Sequence, residues 1–308
     1  MSKELAIIIP AYKSKYLEVT LKSITRQTSQ DFVLYIGDDN SLEPIEQIIR
    51  PFEKKIDIVY HRFESNLGRT NLPAHWDRCI ALSHEPLIWL FSDDDIMPMD
   101  SVERALKMWR ESDGKSSFMR FPLQLIGQDG QIIDTNPPFT ADGNSDYDYI
   151  IQKLSGKIHA AAIEYIFTRD LWKQANGFVQ FPMAWCSDDA SVVNFAQIAG
   201  RITNLHGEAV SWRNVEGSNI SNSNQYNKQK LEATGMFMEW IALHLKSYRK
   251  DKLLNKAIRT YLHTILTISI QKQYTSTSLW TLCHKTARIK KLTALRVAIR
   301  HLFRNQSK

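Results

Sequence analysis

Pro86-Leu87-Ile88-Trp89-Leu90-Phe91-Ser92-Asp93-Asp94-Asp95 sets an apolar run directly before three consecutive carboxylates. The run reads as a buried strand, so the acidic cluster stands at a strand's C-terminal end. In open α/β sheets ligands bind outside that edge. Adjacent carboxylates repel one another, and a cation between them removes the repulsion. Hard oxygen ligands suit Mg2+ or Mn2+, and such ions usually also hold a substrate phosphate. Read alone, the same triplet is equally a solvated acidic turn.

The sequence on either side favours the ligand reading. Strand-like runs at 5–10, 32–38 and 56–62 precede the one at 86–92, and helical patterns at 15–28, 43–54 and 72–84 separate them. Strands alternating with helices predict an α/β fold with a doubly wound, mostly parallel sheet. Beyond a helix at 101–112 the pattern changes. Segments 118–125 and 131–134 read as a hairpin turning at Asp129-Gly130, and 135–148 as a loop. A strand at 160–168 leads into a helix at 169–175, with Gly177 as its C-cap. Residues 188–199 are helical up to Gly200, 201–213 are extended, and a loop at 214–224 precedes a helical remainder.

Of the 308 residues, 43% are hydrophobic and 23% charged, the composition of a soluble globular protein. A strand pattern begins at Leu5, which leaves no room for a signal peptide, and no run reaches the ~18 apolar residues of a spanning helix. Cys79, Cys186 and Cys283 are far apart and read as reduced core thiols. A cytoplasmic location is expected. The net charge of +6 is unevenly placed: residues 250–308 hold 13 Lys/Arg and one acid, Asp251, leaving a net of −6 on residues 1–249. Within this basic region Ile289, Leu292, Leu295, Ile299 and Leu302 recur at three- or four-residue steps with cations elsewhere. Such a helix suits an anionic membrane surface at the inner face of a membrane; it suits equally a helix packed on the body with a solvated basic face. No recognition motif accompanies the charge, so nucleic acid is not an expected partner. A chain ended near Lys272 is expected to stay folded.

The motifs fall in a familiar order. The first strand ends in Pro10-Ala11-Tyr12 and the second in Gly37-Asp38-Asp39-Asn40-Ser41; Asn66-Leu67-Gly68, Arg69 and Asn71 come next, then Ser92-Asp93-Asp94-Asp95. Residues 166–178 lead to Asp188-Asp189, and Ser211-Trp212-Arg213 and Ser218-Asn219-Ile220-Ser221 follow. In this order and spacing the chain resembles glycosyltransferase family 2, the inverting transferases of GT-A fold, over about residues 5–222. The resemblance implies a transferase domain at 1–222 and a helical basic region at 223–308. It further implies a nucleoside-diphosphate sugar donor, most simply a UDP-sugar, a glycan or lipid-linked saccharide acceptor, and Mn2+ or Mg2+.

By the same resemblance Pro10, Ala11 and Tyr12 line a base pocket, Asp39 accepts from the base, Arg69 reaches base or phosphates, and Arg213 belongs to the donor site. Asp93 contacts the ribose, Asp94 lies beside the donor, and Asp95, with Asp93, binds the metal. Asp189 becomes the general base, with Asp188 beside it. Each residue also has a plainer reading: Asp39 as a turn residue, Arg69 as a solvated arginine, Asn71 as a helix cap, Asp188-Asp189 as favourable acids at a helix start, Trp185 as core. Asp38 reads as structural. Two departures stand out. Arg213-Asn214-Val215-Glu216 offers no histidine shortly after the arginine, with Glu216 near that place, and Phe195 occupies the place of an arginine in the helix after the acidic pair. A non-catalytic nucleotide-sugar-binding protein is therefore the rival, and a nucleotidyltransferase is disfavoured because residues 10–16 contain no glycine.

Overall fold

The structure is a computed structural model that describes residues 3–112, 116–215 and 224–303. Its centre is an eight-stranded sheet made of β1 (Leu5–Ala11), β2 (Phe32–Asp38), β3 (Ile58–Arg62), β4 (Leu87–Leu90), β5 (Phe118–Arg120), β8 (Gly143–Asn144), β9 (Tyr165–Thr168) and β10 (Ile202–Asn204), in the order β3-β2-β1-β4-β9-β5-β10-β8. The first four strands in that order are parallel, while β9 runs antiparallel to both β4 and β5. A second sheet holds β6 (Leu123–Ile126), β7 (Ile132–Thr135) and β11 (Val210–Arg213) in the order β11-β6-β7. The expected mixed, largely parallel α/β fold is present.

Helices cover both faces, as a parallel sheet requires. In β1, Leu5, Ile7 and Ile9 join one core cluster with residues of α1 (Leu17–Thr25), α2 (Ile45–Ile49) and α4 (Ser101–Glu111). Ala6 and Ile8, pointing the other way by the period-two rule, join a second cluster. That second cluster takes in α3 (Gly68–Ile80), α5 (Asp146–Leu154), α6 (Arg169–Gln174) and α7 (Ser187–Ala199). It continues without a break into α8 (Asn227–His244), α9 (Lys252–Thr264), α10 (Ser276–Ala287) and α11 (Lys291–Ala298). The three cysteines are free and buried, and no described helix is long and apolar enough to cross a membrane.

Four expectations change. Residues 118–125 are not one strand: β5 lies in the large sheet and β6 in the small one, and the chain crosses between them at Phe121-Pro122. Proline cannot donate to a ladder, so it marks the corner. The extended stretch 201–213 divides in the same way into β10 and β11, on either side of Gly207 (φ 119°). Inside the expected loop 135–148 lies the start of α5, whose Ser145 and Asp148 form a reciprocal capping box. Finally, the basic tail is not a continuous helix, since α10 ends at Ala287 and α11 begins at Lys291. The expected boundary near residue 222 lies outside the described residues.

Candidate active site

The strand order reverses at β1, which has β2 on one side and β4 on the other. In open α/β sheets ligands bind beyond the C-terminal strand ends at such a switch point. Pro10-Ala11-Tyr12 ends β1 there, and Asp93–Asp95 follows β4. Asp93 joins the two: its Oδ2 accepts the backbone N–H groups of Tyr12 and Lys13, both at 2.8 Å. Ala11 is buried, while Tyr12 is 47% exposed.

Asp95 is almost completely buried. Its Oδ1 accepts from Arg213 N–H at 2.7 Å, and its carbonyl accepts from Thr20 Oγ1. The Arg213 guanidinium donates to the carbonyls of Asp94, Gly127 and Gln128 and lies 4.2 Å from the Tyr16 ring centroid. Arg213 thus clips the acidic turn to the β6–β7 hairpin. Ser92 Oγ donates to Asp94 Oδ1. Burial, with the Asp94 charge next, pushes the Asp93 carboxyl up to about 7. The same two causes raise Asp95 well above the usual range, and burial raises Asp94. Each of the three carboxylates thus resists ionisation in its buried setting. No group of three potential ligands surrounds one point among the described residues. An ion held by one or two carboxylates and completed by substrate phosphate and water needs no such group.

Asp39 is buried, and protein groups surround it. Its oxygens accept from Leu67 N–H and Gly68 N–H, each at 2.8 Å, and from the Arg78 guanidinium. Burial holds the His75 imidazole down at about 4, so it is neutral, and its Nδ1 accepts from Arg78 Nε at 3.0 Å. The 3.5 Å approach of that nitrogen to Asp39 is therefore a contact, not an ion pair. A Cβ on Gly68 would come within 2.6 Å of Asp39 Oδ2, so the glycine is needed for the amide to reach the carboxylate. Arg69, the arginine expected here, is exposed; its N–H donates to Asn66 Oδ1, and among the described residues its guanidinium makes no bond. Arg78 takes the place at Asp39 and also lies over Phe63 at 3.8 Å. Asn71 caps: its φ of −147° breaks α3, and its Oδ1 accepts from Ala74 N–H. Asp38 is structural, holding Ser41 N–H, Tyr60 Oη and Arg62.

Asp188 and Asp189 occupy the first turn of α7. The segment before them is strained: Met183, Ala184 and Cys186 all have φ between 55° and 67°, a left-handed conformation that costs L-residues energy and gathers at functional sites. Asp189 is buried, and its Oδ1 accepts from Tyr149 Oη at 2.9 Å and pairs with Lys153 Nζ at 3.0 Å. Among the described residues its Oδ2 has no hydrogen bond. Burial disfavours the Lys153 ammonium, but Asp189 and then Asp188 raise its pKa. Burial and the Asp189 charge push the Asp188 carboxyl up to about 7, against the pull of Lys153. Behind this group a buried Arg120–Glu164 pair, at 2.7 Å, lies beside the Tyr149 and Tyr165 rings. Trp185 bonds through Nε1 to Thr234 of α8, and Phe195 packs among Phe118, Phe167 and Phe178. Glu216 and Ser218–Ser221 lie outside the described residues.

Arg78, His75, Tyr149 and Lys153 escaped the sequence reading. For α5 the signal was the Ser145-x-x-Asp148 cap; nothing local marked Tyr149 or Lys153 as partners of a residue some forty positions on.

Residues 6–131 match the family model "Glycosyl transferase family 2". Among curated proteins, 60 residues are 42% identical to chondroitin synthase of Escherichia coli, covering 19% of this chain and 9% of that one. A further 133 residues are 26% identical to the putative teichuronic acid biosynthesis glycosyltransferase TuaG of Bacillus subtilis, covering 42% of this chain and 50% of that one. The chain therefore matches at most half the length of these relatives. Among solved structures, S. aureus TarS 1–349 with UDP-GlcNAc superposes with a TM-score of 0.71 at 18% identity, over 96% of this chain and 82% of that one. A Pyrobaculum calidifontis mannosyltransferase with GDP-Man and Mn2+ superposes with a TM-score of 0.54 at 12% identity, over 99% and 88%. At these identities the likeness is one of fold.

Proposed function

We propose that the chain, whose residues 6–131 match the glycosyl transferase family 2 model, moves a sugar from a UDP-sugar to a glycan or lipid-linked saccharide with inversion. The observation that carries the reading is the acidic turn at the switch point, where Asp93 binds the backbone that ends β1. Transferase residues would span 1–222, with 223–308 as a helical cover.

Tyr12 offers a face for the base, and Asp39 lies below it in a cage of amides and Arg78. Asp93 reaches the ribose through its remaining oxygen. Asp95 and Asp93 would hold Mn2+ or Mg2+. When bound, the ion takes up charge on the leaving diphosphate. In this reading Asp189 accepts the acceptor's hydroxyl proton through Oδ2 while Tyr149 and Lys153 fix Oδ1. The acceptor oxygen bonds to the anomeric carbon as the bond to diphosphate breaks, with the electron pair leaving on the diphosphate. The UDP-GlcNAc held by TarS, which shares the fold, supports UDP as the nucleotide.

Thermal shifts with UDP and GDP, with Mn2+ or chelator, test the donor site, since a ligand that binds the native state raises its apparent stability. UDP is expected to shift the transition more when Mn2+ is present, and Asp95→Ala to abolish the difference. Equal shifts with and without the ion would remove the metal assignment. Hydrolysis of UDP-sugar by the wild-type protein with Mn2+ separates a transferase from a binding protein, which would leave the donor intact.

A further inference from the structure

We propose that the outer face of α11 is a docking surface for an anionic lipid bilayer. One side of this helix is committed to the protein: Thr293, Ala294, Val297 and Ala298 are buried, and Thr293 Oγ1 donates to Asn255 of α9. The other side is bare. Leu292 is 48% exposed, Leu295 54% and Ile299 50%. With about 100° per residue, Leu295 and Leu292 lie roughly 40° and 100° round the helix from Lys291, and Arg296 roughly 140°. The leucines therefore form a central strip, with Lys291 along one border and Arg296 along the other. Ile299 and Arg300, at the start of the π-helical turn Ile299–Phe303, prolong the strip and its border. Helices that lie in a bilayer interface have this arrangement, with apolar groups toward the acyl boundary and cations at the headgroups.

The charges on this face are not neutralised by the described residues, although Arg300 donates to His263 Nε2 at 2.8 Å. Glu239 neutralises Lys285 and Arg288 on the preceding stretch, but among the described residues neither Lys291, Arg296 nor Arg300 forms a salt bridge. Burial, and next the Arg296 charge, disfavour the Arg259 guanidinium charge on α9, so Arg296 adds its charge beside another cation. Charge decides the occupant. A second copy would bring its own +12 region against this one. Nucleic acid would use the cations and leave three large apolar side chains in water. An anionic bilayer takes both. This inference does not depend on the donor reading, because no residue in it belongs to the crevice.

The test is co-sedimentation of the full chain with phosphatidylcholine vesicles, with and without phosphatidylglycerol. Wild-type protein is expected in the pellet with anionic vesicles at low salt and in the supernatant with neutral vesicles. Each cation near the surface contributes roughly a fivefold factor, so Lys291→Glu with Arg296→Glu is expected to cut partitioning by more than about tenfold. Leu292→Ser, Leu295→Ser and Ile299→Ser together are expected to cut it by a similar factor, with both variants keeping the wild-type melting curve. Failure of the wild-type protein to pellet with anionic vesicles would overturn the proposal. So would equal binding to neutral vesicles, or an apolar-triple variant that binds like wild type. A duplex DNA oligomer is the final arm: wild-type affinity for it that exceeds vesicle binding and survives the apolar changes assigns the face to nucleic acid instead.

Discussion

Lys153 approaches Asp189 Oδ1 at 3.0 Å from α5 and also opposes protonation of Asp188. Removing the ammonium leaves Asp188, already pushed up to about 7, with its burial and the Asp189 charge alone. Lys153→Met is therefore expected to push the Asp188 carboxyl further up, read from its carboxylate chemical shift against pH, a change that loss of fold would not produce. Asp189→Asn is expected to lower turnover about 10²-fold or more, the scale of general-base loss, with UDP binding unchanged. If Asp188→Asn is the inactive variant instead, the base is one residue earlier. Asp188 also makes a stability prediction. Its folded value lies above the unfolded one, so the native state binds the proton more tightly. Its contribution is full below about 4 and is lost as pH rises toward 7. The melting temperature of Asp188→Asn relative to wild type is expected to rise between pH 5 and 8; a constant difference would deny the raised value. The carboxylates of this site were legible in sequence because each group is contiguous and follows a strand or starts a helix. Arg78, Tyr149 and Lys153 were not, because tertiary packing brings them there from distant elements.

The elements around the crevice carry backbone features that explain where periodicity misleads. The pattern at 72–84 suggests a later helix start than the structure has: Asn71 leaves helical dihedrals and restarts α3 as a cap, with Pro73 in the new first turn, where its missing N–H costs nothing. Asn71→Ala is expected to destabilise by about 1 kcal/mol, as loss of an N-cap does, in denaturant titration. A cost near zero would make the side chain a ligand group rather than a cap. The segment before α7 is the reverse case, with left-handed residues that are not glycine. Ala184→Gly removes a penalty of ~1–2 kcal/mol and adds a backbone-entropy cost of ~0.5–1 kcal/mol. It is expected to be neutral or stabilising while lowering turnover, because the segment that aims Asp188-Asp189 becomes looser. A variant that is less stable, with unchanged turnover, would remove the link between this conformation and the site. No local pattern announces left-handed φ at Met183, Ala184 and Cys186; loop closure over α7 imposes it, through Ser187 and Ser191 hydroxyls that accept from Phe181 and Val179 N–H.

At the scale of the whole molecule, the basic C-terminal region is both a wall of the core and a surface. Tyr261 of α9 contacts Cys186 beside the acid pair at 2.9 Å, Tyr147 of α5 bonds Asp251, and Phe237 of α8 packs on Phe181. Leu279, Leu282, Cys283, Ile289, Val297 and Ala298 belong to the same cluster as Ala190, Val193 and Phe195 of α7. The expectation that a chain ended near Lys272 stays folded does not fit this packing. Each fully buried leucine contributes roughly 1.5–3 kcal/mol, and truncation removes several such groups at once while baring their partners. The sum is of the order of the ~5–15 kcal/mol stability of a whole domain. Residues 1–272 are therefore expected to lack a cooperative thermal transition and to lose UDP binding with it. Single changes on the outer face, such as Leu295→Ser, are expected to stay within about 0.5 kcal/mol of wild type. The amphipathic spacing in the sequence could not separate these two faces, because the break at 288–290 turns Ile289 into the core and leaves Leu292 and Leu295 in solvent. A truncated chain that melts cooperatively and still responds to UDP would show that α10 and α11 are an appendage, and that the crevice stands without them.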